Sequence, residues 1–494
     1  MKKYILIILC CLTSFPLWSY NVNMIVEHYS VDQGLPNNTV NCTLKDRDGF
    51  IWFGTWYGLC CFDGVKFKTF NKQEHDSDVP PRKIQRIVED KNGYIWVKTI
   101  DRKLYVFNKV TECFHAVYDD MKNYSENIQV IKLQNTAEGD VLLLTKDKNL
   151  LLAGVDEKGQ VTIKILFDSR NEINKHDYTL KHHVLCETEE YISWIGTDYK
   201  VAAVHKGSEL ASRPADFITS KINSGDKDSF TSFFEDGRKV WVGDRAGIFY
   251  SIDVRTGLVN RYVLSEIKGA ISNLLVTPAG YVYLSVAGQG TYEYDLAERR
   301  LQKINTEMND AMVTHAFIDQ YDKIWFHENE KALIYYDPLN HTAKRFPFTM
   351  FGKITTLYSE DAGERGLFFL SPAGEAWLFD REHAEMVYIN KLKQLSNDRA
   401  NQQFYHLMLD NDGVLWLSSA DEGVYCMNFP KKQFNLLSLS PQSVGQENYA
   451  TGVRALFQSK SGDIWVGTRW QSVYRMDRNG VTKHVFSTGD EHIG

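Results

Sequence analysis

Tryptophan recurs at one position along this chain. "DGFIWFGT" places it at Trp52, "NGYIWVKT" at Trp96, "YISWIGT" at Trp194 and "KVWVGD" at Trp241. "DKIWFHE" follows at Trp325, "DGVLWLSS" at Trp416 and "GDIWVGT" at Trp465. Seven of the eleven tryptophans occupy this slot, and three worn copies fill the gaps with Leu142, Tyr283 and Phe369. Ten units result, spaced 42 to 52 residues apart. A fixed period of this length is the signature of a repeat architecture.

Each unit holds the same parts. An alternating run such as "VNCTLKD" precedes the Trp strand, and a small residue opens the next run, as in "GLCCFD" or "GTYEYD". A fourth short run follows, such as "VKFKTF". Four short strands per unit with turns between them form the blade of a β-propeller. One twisted sheet cannot cover both of its faces, so the Trp position is expected to cement neighbouring blades. Asp46, Asp48 and Gly49 suit the tight turn between the first two strands. "DRDGFIWFGTWY" lacks the further ligands of an EF-hand calcium loop, so the acids read as architecture.

The bulk numbers narrow the function. Net charge is −7 with no basic stripe, which argues against nucleic-acid binding. Residues 1–20 read as a signal peptide, with Lys2 and Lys3 ahead of the apolar run Tyr4 to Leu12. The six cysteines beyond it form no CxxC pair and no metal spacing, and no cofactor is expected.

The stretch from Asp32 to Phe70, "DQGLPNNTVNCTLKDRDGFIWFGTWYGLCCFDGVKFKTF", resembles the two-component regulator propeller repeat. The Gly-Leu-Pro, the Asp-x-x-Gly unit leading to Trp and the closing Gly-Leu-x-x-Phe-Asp-Gly carry the likeness, which extends over nearly all of the mature chain. The resemblance implies the N-terminal periplasmic sensor part of a hybrid two-component histidine kinase of Bacteroidetes, responsive to oligosaccharides from polysaccharide breakdown. It implies paired seven-bladed rings, a homodimer, and anchorage through a C-terminal membrane helix that lies beyond residue 494.

The expected fold is therefore all-β, a seven-bladed β-propeller over 21–348 followed by an incomplete second β-propeller over 349–494. A single ten-bladed ring is the alternative. The segment Met24 to Ser30 is expected to close a blade of either ring. No membrane helix, kinase or receiver motif follows, so the chain reads as a fragment that binds but does not signal alone.

Ligands of propellers gather where the turns between strands two and three meet the links between blades. Those turns hold Trp56 and Tyr57, Asp101 and Arg102, Asp198 and Tyr199, Asp244 and Arg245, His327 and Glu328, and Arg469 and Trp470. Aromatic rings can cover the apolar faces of sugars, and charged groups can bind hydroxyls or acidic substituents. The rival classes are a secreted propeller lyase or glycosidase, which would recruit Asp198, Asp244 or Glu328 as paired acids, and a scaffold that binds protein. No GxSxG or HExxH motif supports an enzyme.

Overall fold

The computed structural model describes residues 25–70, 72–73, 80–122, 129–147, 149–168, 180–187, 190–196, 201–206, 215–216, 230–304, 313–328, 331–351, 358–361, 363, 366–371, 375–391, 404–428, 452–469, 472–477 and 482–487. The expected signal peptide lies outside them. Among the described residues, no helix is long and apolar enough to cross a membrane. The chain is all-β, built from ten sheets that are antiparallel except where Lys72–Gln73 runs parallel to Cys113–Ala116 in the second, and each Trp-type position lies on the second strand of its blade. It divides into two compact units, 1–429 and 430–494.

The Trp strand is set by its turn. In the first sheet, Asp46 Oδ1 accepts from the backbone N–H of Asp48 at 3.0 Å and of Phe50 at 2.9 Å. Gly49 supplies the left-handed φ of 93° that the turn requires. Asp46 Oδ2 accepts the indole N–H of Trp52 at 2.8 Å. The same bond joins Asp90 to Trp96 at 2.9 Å, Asp236 to Trp241 at 2.7 Å, Asp319 to Trp325 at 3.2 Å and Asp410 to Trp416 at 3.1 Å. A buried indole N–H needs an acceptor, and the turn that aims the strand provides it.

Each ring then packs on the next sheet. Trp52 clusters with Ile84, Ile95 and Phe107 of the second sheet. Trp96 clusters with Val130, Val141 and Leu151 of the third. Trp241 meets Ile271 and Val282 of the sixth, and Trp325 meets Leu367 and Phe369 of the eighth. Trp416, on the ninth sheet, packs on Val40, Phe53 and Phe62 of the first. Further cores join the third sheet to the fourth, the fourth to the fifth, the sixth to the seventh and the eighth to the ninth, so these contacts link the nine sheets described in the 1–429 unit in a cycle.

The ring boundary expected at 348 is not where the contacts break. Trp325 and Phe346 of the seventh sheet share one core with Phe369 and Phe379 of the eighth. The N-terminal strand Ile25–Tyr29 pairs antiparallel with Val424–Asn428 and supplies the fourth strand of the ninth sheet. Turn chemistry marks each blade, but the choice of edge for a distant strand decides the count, and that choice leaves no local signature. In the 430–494 unit the sheet of Trp465 carries its own small core of Val466, Tyr474 and Met476.

Cations clamp neighbouring sheets on the face of the Asp turns. Lys109 Nζ of the second sheet reaches Asp46 at 3.0 Å, Asp48 at 2.7 Å and Glu89 at 2.8 Å. Arg381 of the eighth sheet likewise reaches Asp319 at 2.6 Å and Asp361 at 2.7 Å.

Two outcomes follow. Glu27 lies directly opposite Cys426, at a separation that suits a disulfide. A Glu27→Cys variant should therefore crosslink to Cys426 under mild oxidation, seen as a linked peptide by mass spectrometry; unlinked thiols would refute the closure. Trp96→Phe keeps a ring but strands Asp90 Oδ2, so urea unfolding should show a loss of roughly 1–3 kcal/mol, against ~3–5 kcal/mol for Trp96→Ala.

Candidate functional site

The face opposite the Asp turns carries the strand two–three turns and the links between blades. Backbone bonds sew these together around the ring. Trp56 N–H donates to Thr39 O at 3.2 Å, Lys83 N–H to Trp56 O at 2.9 Å and Ile100 N–H to Lys83 O at 2.9 Å. Val130 N–H donates to Arg102 O at 2.9 Å, and Gly423 N–H of the ninth sheet to Asn38 O at 2.8 Å. The rim across the ninth, first, second and third sheets is thus held by main chain, leaving its side chains available.

Those side chains are aromatic and cationic. Trp56 is 41% exposed and Tyr57 63%. The Lys83 ammonium lies over the Trp56 ring, 5.4 Å from its centroid, an arrangement that is attractive by itself. Lys83 and Arg102 hold φ of 50° and 67°, uncommon for residues with a Cβ.

Below the rim, Arg86 on the innermost strand of the second sheet stands directly opposite Lys98 on its neighbour. Lys98 is buried, at 6% exposure, and its ammonium donates to the carbonyl of Ile131. Burial pushes its pKa down to about 8, and the charges of Arg102 and Arg86 push the same way. His406 of the ninth sheet is held at about 4 by burial, with Arg86 again adding to the effect. Among the described residues, Arg86 and Arg102 have no carboxylate partner. Like charges set opposite each other on adjacent strands destabilise a sheet, so this cluster is costly without a counter-anion.

The other expected residues are placed differently. Arg245 is exposed in the turn of the fifth sheet. Its neighbour Asp244 is buried and holds that turn, its Oδ1 accepting from Ala246 N–H at 2.9 Å and Ile248 N–H at 2.8 Å. His327 is half-buried, 5.0 Å ring to ring from Phe348, its pKa lowered by burial and then by His315. Glu328 is buried and receives Arg345 Nη2 at 2.9 Å and Nε at 3.2 Å. Arg469 is exposed in the 430–494 unit, its backbone N–H bonded to Gly452 O at 2.9 Å. Asp198, Tyr199 and Trp470 lie outside the described residues. Trp56, Tyr57 and Arg102 therefore share the rim of the first two sheets, while His327, Glu328 and Arg245 belong to other blades.

Lys83, Arg86 and Lys98 were not singled out by sequence. A signal was present: "RKIQRIVEDKNGYIWVKTIDRK" gathers many of its cations into one blade. Among the described residues, one acidic trio has the closeness of a metal site, Asp46, Asp48 and Glu89. The Lys109 ammonium fills it.

Comparison with known proteins finds a short family match and several distant structural likenesses. Residues 34–57 match the two-component regulator propeller. They contain the first Asp turn, the Trp52 strand and both rim aromatics. No curated protein matches the chain. Among solved structures, the extracellular domain of a protein described as a hybrid two-component system of B. thetaiotaomicron aligns at 15% identity and TM-score 0.31, over 94% of this chain and 67% of that one. A second such domain from the same organism aligns at 18% identity and TM-score 0.29, over 93% of this chain and 62% of that one. PorZ, a surface component of the type-IX secretion system of Porphyromonas gingivalis, aligns at 14% and 0.30, over 92% and 69%. The chain thus spans 67% and 62% of the two hybrid-system domains.

The depressed pKa has a consequence for stability. Unfolded Lys98 keeps the ordinary lysine value near ~10.4, whereas folded Lys98 sits at about 8. Between these values the unfolded state binds more protons, so stability should rise with pH across that window and fall as pH drops back through it. Lys98→Met should flatten that rise in denaturant titrations. NMR of the dimethylated lysines should show one titrating near 8 in the parent and higher in Arg102→Gln.

Proposed function

We propose that this chain is the ligand-sensing region of a hybrid two-component sensor histidine kinase, exported to the periplasm, and that it binds an acidic oligosaccharide. One observation carries the reading: Arg86, Lys98 and Arg102 gather without carboxylate partners among the described residues, on the blade that borders the exposed rings of Trp56 and Tyr57. The match of residues 34–57, which include Trp56 and Tyr57, to the two-component regulator propeller supports it.

The chemistry is direct. A uronate or sulfate group would supply the missing negative charge and take guanidinium N–H groups in pairs, which gives strength and orientation together. Trp56 and Tyr57 would cover the apolar face of a neighbouring sugar ring. The main-chain bonds that sew the rim fix these groups before the ligand arrives, so little ordering cost is left to binding. Ligand would then favour one arrangement of a receptor homodimer, and the kinase and regulator parts beyond this chain would convert that shift into expression of carbohydrate-utilisation genes.

The arrangement favours binding over turnover. A glycosidase or lyase needs carboxylates free to exchange protons. Glu328 is committed to Arg345, and Asp244 gives its Oδ1 to its own turn.

Isothermal titration of the chain with tetragalacturonate and with a neutral cello-oligosaccharide tests the proposal. The acidic sugar should bind, weaken as salt is raised, and lose at least tenfold in affinity in the Arg86→Gln, Arg102→Gln double variant. Equal binding of the neutral sugar, or release of shorter products during incubation, would overturn it.

A further inference from the structure

The sixth sheet lacks the Asp–indole bond of the first, second, fifth, seventh and ninth sheets. Thr277 stands where the turn Asp belongs, and Tyr283 stands where the indole belongs. Across the strand pair, the residue facing the Trp position is Cys61 in the first sheet, Val106 in the second, Ser251 in the fifth and Cys426 in the ninth. In the sixth it is Glu293. The smaller turn and ring leave space, and a cavity of 360 Å³ opens between the sixth and seventh sheets.

Glu293 lines that cavity although it is only 4% exposed. Its Oε2 accepts the hydroxyl of Tyr283 at 2.9 Å and that of Tyr336, from the seventh sheet, at 3.2 Å. Burial, and then the Glu293 charge, push both phenols well above the usual tyrosine range, so both remain donors. Oε1 has no hydrogen bond among the described residues; its nearest basic atom is His341 Nδ1, 4.0 Å away. Lys323, on the cavity wall, is committed to Asp337 at 2.7 Å. Arg300 points to Glu298 at 3.7 Å. Tyr281 and Tyr321 also line the space.

We infer that this cavity binds the protonated amine of a small organic ligand, with Glu293 Oε1 as its counter-ion and the tyrosine rings as its walls. A buried carboxylate is costly unless it is paired. Two phenols satisfy one of its oxygens, and the second faces a space large enough for a compact ring. An ammonium group matches what remains: it donates to Oε1 and is attracted to ring faces. The inference is independent of the rim, which lies on the opposite face of the ring and selects the opposite charge.

Calorimetric titration with cyclohexylamine and cyclohexanol tests it, since the two share a ring and differ in the charged head. Cyclohexylamine should bind at least tenfold more tightly than cyclohexanol, and Glu293→Gln should abolish the difference. A triple variant, Thr277→Asp, Tyr283→Trp and Glu293→Val, rebuilds the Asp–indole pair and apolar partner of the second sheet. It should unfold at a temperature no lower than the parent and bind no cyclohexylamine, which keeps the test open if Glu293→Gln fails to fold. No saturable binding of the amine to the parent would overturn the inference. So would an amine preference that survives in Glu293→Gln, or amine binding to the triple variant.

Discussion

The bond from an indole N–H to a turn aspartate ties local structure to long-range packing. The aspartate uses one oxygen to close the turn and the other to hold the ring, as Asp90 does for Asn92, Tyr94 and Trp96. The ring held in this way then fills the seam with the next sheet. Each half of the device requires the other. Without the turn the indole would lose its acceptor in a dry environment, and without the indole the seam would open a void that neighbouring sheets cannot close. This is why the tryptophan and the aspartate recur together in five of the described sheets while the residues between them drift.

A device repeated around a ring also defines what an exception means. Where the sheet of Tyr283 replaces aspartate by threonine and indole by phenol, the seam keeps a buried core with the seventh sheet but carries a cavity lined by a carboxylate. Exceptions of this kind cost stability, and proteins tolerate them chiefly where something other than packing is served. The rim of the first two sheets shows the same economy from another direction. Its turns are fastened by main chain, so Trp56, Lys83 and Arg102 are spared from structural duty.

Much of the architecture was legible in the sequence because the period is long and the indole is rare. Strand number per blade, the position of the Trp strand and the tight Asp turn all follow from local chemistry repeated many times. The indole–aspartate bond was not legible, because turn and strand read separately on a line of residues. Nor was the cycle of nine sheets. Met24 to Ser30 was recognisable as a closing strand, but its partner Val424–Asn428 is chosen by which edge is left bare. At the candidate site, Trp56 and Tyr57 stood out since a turn has little use for exposed rings. Arg86 and Lys98 did not, because alternating polar residues on a strand look like ordinary solvated faces until the fold sets them opposite each other. Glu293 was visible only as an acid in "GTYEYD", where "GLCCFD" carries Cys61 and "GIFYSID" Ser251.

The strand Ile25–Tyr29 gives the ring a history as well as a shape. His28 reaches the carbonyl of Glu422, 394 residues away. A ribosome adding roughly 5–20 residues per second needs about 20–80 s to supply that partner. Throughout this interval the earliest strand waits as an uncovered edge, able to pair with whatever β-segment passes. Assembly therefore depends on timing, and any factor that shields a nascent strand would raise the yield of correctly closed rings.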